Sequence, residues 1–179
     1  TGHEPVEELG RDAGLKERLR AIWVAAGLAM GLRKPGGEAM TADDLARSET
    51  IPKVCLIAEP AGDEHITARY FTPQTPHNSL AVTGGCCLAV ACLIPETVAH
   101  RVARGIPKLS ADERAHTLAM RNPAGVLRAR VAVAATPDGL RIGGVAYERS
   151  TQIFLRGHFP LYEASADLRR WGERWPNDP

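Results

Sequence analysis

The segment between residues 83 and 94 has the residue types and spacing that most readily bind an anion. It reads Thr-Gly-Gly-Cys-Cys-Leu-Ala-Val-Ala-Cys-Leu-Ile and carries no charge. We expect a helix in which Thr83 is the N-cap and Gly84 and Gly85 leave the first backbone N–H groups uncovered by side chains. Those N–H groups and the positive end of the helix dipole then point at one place, which suits a carboxylate. The alternative is that the two glycines only allow the helix to pack closely.

Three other side chains could take part in the same chemistry. His77 lies about one turn before this segment, where an imidazole could pair with an anion or relay a proton near neutral pH. A histidine that only holds the local backbone is an equal alternative. Lys53 could meet an anionic substrate beside the start of a predicted strand, and Arg149 could reach a second carboxylate. For both cations, a solvated surface side chain is the competing interpretation.

The four cysteines do not form a pattern typical of metal binding or disulfides. No Cys-x-x-Cys pair is present, and no histidine lies beside a cysteine at ligand spacing. We therefore expect no disulfide framework, no metal site and a reducing environment. The helix dipole would lower the pKa of the Cys86 thiol and burial would raise it, so a packing role is favoured over a thiol enzyme.

Sequence periodicity predicts the elements that position these residues. Apolar spacing predicts an amphipathic helix from about Gly14 to Gly31 and a terminal helix over Tyr162–Trp175. Thr136-Pro137-Asp138-Gly139 predicts a hairpin turn, because proline and glycine each favour a backbone angle that a turn requires. The predicted strands are Val54–Ala58, Ile66–Phe71, His116–Met120, a strand around Leu127–Val133, and Leu140–Tyr147.

The apolar helix dictates the predicted architecture. Because it would be apolar on every side, it cannot lie on a surface and must be enclosed, and it is too short to cross a bilayer. We predict an α+β fold in which a curved, barrel-like antiparallel sheet wraps around this central helix. Residues 1–160 are expected to form one domain, and residues 161–179 a terminal helix and tail.

Composition excludes several classes of partner. The 22 basic and 21 acidic residues nearly cancel, which argues against a nucleic-acid footprint or an acidic-lipid surface. No run resembles a signal peptide or a membrane-spanning helix, so we expect a cytoplasmic location. The chain begins without methionine, and we expect a fragment or a processed piece.

Several short motifs occur in a fixed order along the chain: Ala26–Gly31, Pro52–Leu56, His77 with Leu80–Gly84, Ile94–Val98, Asn122–Gly125 and Arg149–Gly157. This order resembles the PrpF family, which includes 2-methylaconitate isomerases and 4-oxalomesaconate tautomerases. The resemblance extends to about Gly157 and corresponds to the second half of a family member.

The resemblance implies the diaminopimelate-epimerase fold, in which two similar domains each wrap a barrel-like sheet around a central helix and the active site lies between them. In the epimerases a catalytic cysteine precedes the glycine-rich helix start. Here that position is Val82, as is usual for the isomerases. Ala124 and Gln152 stand where the family usually has serine and a second arginine, so the substrate is left open.

The leading hypothesis is therefore the C-terminal half of a cofactor-independent isomerase or tautomerase that acts on a small unsaturated di- or tricarboxylate by proton transfer. Thr83, Gly84 and Gly85 would bind the substrate, with Lys53 and Arg149 as further contacts. His77 is the catalytic candidate, while the proton-transferring base is expected from an N-terminal PrpF-like half or a second copy. The alternative is a non-catalytic domain that binds a carboxylate metabolite or a partner protein.

Overall fold

The computed structural model describes residues 2–149, 152–155 and 162–173. It divides into two compact units, Thr1–Arg149 and Ser150–Pro179. The predicted domain boundary, between residues 160 and 161, lies outside the described residues.

The first unit mixes helices and strands, as predicted. Its helices are α1 (Val6–Arg11), α2 (Ala13–Ala29), α3 (Ala42–Arg47), α4 (Val82–Leu93) and α5 (Val98–Val102). Its strands are β1 (Val54–Ala58), β2 (Ile66–Thr72), β3 (Thr75–His77), β4 (Arg114–Asn122), β5 (Gly125–Thr136) and β6 (Gly139–Tyr147). In the second unit, α6 (Ala166–Glu173) accounts for part of the predicted terminal helix.

The strands form one open sheet in the order β1-β2-β4-β5-β6, with β3 paired to β2 beside this path. The prediction of a barrel-like sheet is wrong, because the two end strands β1 and β6 do not pair with each other within residues 2–149. The prediction of a wholly antiparallel sheet is also wrong, because β2 and β4 run parallel. The chain between them contains α4 and α5, which supply the crossover that parallel neighbours require.

Local turn chemistry explains the best-predicted part of the sheet. Asn122 pairs with Gly125 at the β4–β5 turn, and Thr136 pairs with Gly139 at the β5–β6 turn. Gly125 and Gly139 both have positive φ, at 129° and 136°, a region that side chains rarely allow. The hairpin turn predicted at Thr136–Gly139 is confirmed.

Alternation along β2 separates two apolar layers. Tyr70 belongs to the cluster that packs under α4, whereas the next residue, Phe71, packs with Trp23 of α2. Successive strand side chains point to opposite faces, so α4 and α2 cover opposite sides of this end of the sheet.

The helix α4 packs on the sheet through one face. Four of its buried residues, Leu88, Ala89, Cys92 and Leu93, belong to one apolar cluster with side chains of β2, β4 and β5. On the other side Val82 is 41% exposed and Ile94, just after the helix, is 39% exposed. The prediction that the sheet encloses this helix is therefore wrong for the described residues, since an open sheet covers a helix from one side only.

Candidate functional site

The N-terminus of α4 is uncapped by side chains in the described part of the chain. The helix begins at Val82, with Ala81 in an extended conformation as its N-cap. Thr83 is therefore the second helical residue, and its prediction as the N-cap is wrong. Gly85 N–H donates to Ala81 O at 2.8 Å, which is the first hydrogen bond of the helix. The N–H groups of Val82, Thr83 and Gly84 precede it, so the helix offers an anion three donors and its positive dipole end.

Each of the two glycines contacts a tyrosine ring. A Cβ on Gly84 would lie 2.6 Å from Cε2 of Tyr70, and a Cβ on Gly85 would lie 2.3 Å from Cε2 of Tyr147. Neither position has room for a side chain, so close packing is one reason for glycine at both. Gly85 is buried and its N–H is already bonded within the helix, whereas Gly84 is partly exposed.

A cavity of about 470 Å³ lies beside the first two turns of α4. Three of the predicted binding residues, Lys53, Thr83 and Gly84, line it together. Its other lining residues are Tyr70 and a largely apolar set: Ala26, Met30, Leu32, Ile51, Pro52, Val54, Cys55, Cys87, Leu88 and Ala91. The wall thus contains a lysine, a threonine and a helix-start glycine among largely apolar residues. Gly85, His77 and Arg149 are not part of its wall.

His77 ends β3 and interacts with its own neighbourhood. Its Nδ1 lies 3.0 Å from the backbone N of Ser79 and 2.8 Å from the backbone O of the same residue. The imidazole is exposed, and the backbone of Ser79 holds the ring. This geometry is the local backbone contact that was the alternative to a catalytic role.

Arg149 follows β6 and lies near Tyr147 rather than at the cavity. Burial raises the pKa of the Tyr147 phenol, and the positive charge of Arg149 opposes part of that rise. The charge of Arg149 thus acts on the tyrosine whose ring covers Gly85. The structure therefore brings three of the six predicted residues to one cavity and places the other three elsewhere.

Tyr70 is the residue that sequence reasoning missed. Its side chain is buried, with 3% of the residue exposed, yet it lines the cavity. Burial raises the pKa of its phenol, so the hydroxyl stays protonated at neutral pH and can donate a hydrogen bond. The sequence did contain a signal for such a residue. A glycine pair at a helix start leaves space for large side chains on the strand beneath the helix.

Burial favours the thiol form of three cysteine side chains, those of Cys55, Cys86 and Cys92. Burial raises the pKa of Cys55 and of Cys92 to about 12, and it also raises the pKa of Cys86, with a smaller contribution from Cys87. All four cysteines are free. A nucleophilic thiolate at Cys86 is therefore not supported by its surroundings.

Two kinds of feature are absent from the described residues. No group of three or more histidine, cysteine, aspartate and glutamate side chains there could hold a metal ion. Likewise, the helices of this described part lack the length and apolar character needed to cross a bilayer.

Sequence comparison relates this chain to known proteins. The family model described as PrpF protein matches residues 1–161. A 4-oxalomesaconate tautomerase of Pseudomonas putida is 34% identical over 125 residues, which are 70% of this chain and 30% of that protein. A (4E)-oxalomesaconate Delta-isomerase of a Novosphingobium species is 33% identical over 103 residues, or 58% of this chain and 26% of that protein. The chain therefore spans less than a third of the length of these relatives.

Structure comparison gives a consistent fold. A crystal structure of methylitaconate-delta-isomerase superposes with a TM-score of 0.61 and 20% sequence identity. The superposition covers 83% of this chain and 41% of that one. At this identity the likeness concerns the fold alone.

Proposed function

Because this chain belongs to the PrpF family, we propose that it forms the C-terminal half of the active site of an isomerase or tautomerase acting on small unsaturated di- or tricarboxylates. The names of the matched relatives, oxalomesaconate tautomerase and oxalomesaconate isomerase, support this substrate class. The length of chain that matches them supports a contribution of part of a site rather than all of it.

The observation that carries the proposal is the meeting of Lys53, Thr83 and Gly84 around one cavity at the uncapped start of α4. An ammonium group, a hydroxyl and free backbone N–H groups are all donors, and together they suit carboxylate oxygens. Removing a proton beside a carboxylate or keto group puts negative charge on oxygen. Fixed donors lower the cost of that charge, and losing one oxyanion donor typically slows an enzyme about a hundred- to a thousandfold.

The titratable side chains of the cavity wall indicate which part of the reaction this chain supplies. Its titratable side chains within the described residues are Lys53, Cys55, Tyr70 and Cys87, with no carboxylate or imidazole among them. We therefore assign the proton-transferring base to an N-terminal PrpF-like half or to a second copy. We keep three further substrate contacts as proposals: Gly85, Arg149 and His77. For His77 the Ser79 contact engages Nδ1, which leaves Nε2 as the nitrogen for proton relay.

The same wall favours a second candidate function, a carboxylate-binding domain without catalysis. Such a domain would need the donors of the cavity but no base.

The two candidate functions differ in turnover. Both predict binding, and only the first predicts turnover. Adding a separately produced N-terminal PrpF-like half to the chain, with isomerisation followed by ultraviolet absorbance, tells them apart. Turnover that appears only in the mixture supports the proposal that this chain supplies half of the active site. Full activity of the single chain contradicts that proposal.

Binding is tested directly by calorimetry with aconitate, a small unsaturated tricarboxylate. Lys53→Met removes the ammonium group from the cavity wall and should weaken binding about tenfold, the loss expected for one charge-assisted hydrogen bond. Lys108→Met is the matched control, because Lys108 is an exposed lysine that does not line the cavity. Equal affinities of the wild-type chain and Lys53→Met would contradict the assigned site.

A further inference from the structure

We propose that the hydroxyl of Tyr70 donates a hydrogen bond to an oxygen of the ligand held at the start of α4. This inference rests on the proposed function, since it concerns the same cavity. It adds a binding residue that lies on β2, outside the glycine-rich segment and its flanking motifs.

The hydroxyl of Tyr70 is a buried donor without a hydrogen-bond partner in the described part of the chain. Tyr70 is 3% exposed, and its hydroxyl has no hydrogen-bond partner among residues 2–149, 152–155 and 162–173. Buried polar groups nearly always have a partner, because leaving one unpaired costs folding free energy. A phenol at such a position, where phenylalanine would fill the same space, needs an explanation beyond packing.

The second observation is where this donor lies. The ring of Tyr70 lines the cavity with Lys53, Thr83 and Gly84. Its hydroxyl oxygen lies 3.1 Å from the place where a Cβ of Gly84 would be, and the missing side chain is what permits that approach. The hydroxyl therefore lies close to Gly84, whose N–H is one of the free donors of the first turn, so an acceptor bound between them would have donors from both β2 and α4.

The charges around the cavity agree with an acceptor-rich ligand. Lys53 and the helix dipole are positive, and no carboxylate lines the wall within the described residues. The phenol remains protonated at neutral pH, because burial raises its pKa. The side chain therefore acts as a neutral donor, and a neutral donor beside a cationic group suits a carboxylate or the oxyanion formed next to it.

Tyr147 provides a matched control within the same fold. Its hydroxyl also has no partner in the described part of the chain, and its ring covers Gly85 as Tyr70 covers Gly84. Unlike Tyr70, it does not line the cavity. If an unpaired phenol beside a helix glycine were only a packing feature, substitutions of the two tyrosines would behave alike.

The test compares Tyr70→Phe and Tyr147→Phe by calorimetry with aconitate and by thermal unfolding without it. Each substitution removes one oxygen that has no partner, so we expect each midpoint of unfolding to equal or exceed that of the wild-type chain. Tyr70→Phe should weaken aconitate binding about tenfold to a hundredfold, as expected for a hydrogen bond to a charged group. Tyr147→Phe should bind as the wild-type chain does.

The outcomes separate this inference from the function on which it rests. Wild-type binding that Lys53→Met weakens but Tyr70→Phe leaves unchanged overturns the role of Tyr70 alone. A wild-type chain that binds no aconitate overturns both. Equal losses in the two phenylalanine variants also overturn this inference, because they would reflect the helix start in general.

A second measurement does not depend on the folding of Tyr70→Phe. The chain has three tyrosines, so incorporation of 3-fluorotyrosine should give three fluorine resonances. Tyr147→Phe and Tyr162→Phe identify the Tyr70 resonance by elimination. Aconitate should shift that resonance more than the other two, and an unshifted Tyr70 resonance at saturating aconitate contradicts the proposed hydrogen bond.

Discussion

Arg121 holds the buried carboxylate of Glu64 with two nitrogens at the place where β2 and β4 meet. Nε of Arg121 lies 2.8 Å from Oε1 of Glu64, and Nη2 donates to Oε2 at 2.9 Å. The same carboxylate accepts from the backbone N–H of Ala61 at 2.9 Å. The parallel contact of β2 and β4 consists of two residue pairs, Ile66–Met120 and Thr67–Arg121. We call it the β2–β4 junction, and the ion pair lies at its edge.

Replacing Glu64 should destabilise the first unit. Glu64→Gln removes the charge that Arg121 faces, and we expect the free energy of unfolding, measured by urea denaturation, to fall by about 2 kcal/mol. This is less than the loss expected for a wholly buried ion pair, because Arg121 can be hydrated. Glu113→Gln is the control, since Glu113 and Arg141 form an exposed pair at 3.0 Å, for which about 0–1 kcal/mol is expected. Equal losses in the two variants would contradict a special role for the junction pair.

The same ion pair should make stability depend on pH in the acid range. Hydrogen bonds from Arg121 lower the pKa of Glu64 to about 2, against the opposing effect of burial. Because the folded pKa lies below the unfolded one, the stabilisation is complete above about pH 5 and is lost as the pH falls towards 2. The difference in unfolding free energy between the wild-type chain and Glu64→Gln should therefore shrink between pH 6 and pH 3. A difference that stays constant over that range would show that the carboxylate does not titrate as described.

A glycine in α2 provides a packing test. A Cβ on Gly27 would lie 2.5 Å from Cδ2 of Leu45, a side chain of α3 with no exposed surface. Gly27→Ala should lower the free energy of unfolding by about 2 kcal/mol through overpacking. Gly14→Ala in the same helix meets only an ordinary contact, 3.5 Å from Oδ1 of Asp12. It should raise stability by up to about 1 kcal/mol, since alanine favours a helix over glycine.

Thiol labelling should report on the cavity. Cys87 is exposed and lines the cavity, whereas Cys92 is buried and the pKa of its thiol is raised to about 12 by burial. We expect N-ethylmaleimide to modify Cys87 first in the native chain, and aconitate to slow that reaction. Peptide mapping by mass spectrometry locates the label, and Cys87→Ala should remove the fast phase. First modification at Cys86 would instead favour the thiol-enzyme hypothesis.

The elements set by local chemistry could be predicted from the sequence. The amphipathic pattern predicted a helix from about Gly14 to Gly31, and α2 spans Ala13–Ala29. The turn residues at Thr136–Gly139 placed the β5–β6 hairpin correctly. In both cases the determining residues are neighbours in sequence, so the backbone preference is visible before any tertiary contact forms.

The relationships between distant segments could not be predicted. The parallel pairing of Ile66 with Met120 depends on the crossover through α4 and α5, and no local pattern distinguishes it from a closed antiparallel sheet. The cavity brings Lys53, Tyr70 and Thr83 together from three separate elements. The glycine pair pointed to the helix start, but only the fold identifies the tyrosines that occupy the space beside it.

The β2–β4 junction is short, and this has a consequence for the local unfolding of the first unit. Two antiparallel groups of strands meet there through few backbone hydrogen bonds, and α4 packs on side chains from both groups. A solute held at the first turn of α4 adds its binding free energy to every state in which the two groups remain together. Amide protons at the junction should thus exchange with deuterium more slowly when the solute is present, although none of them touches it.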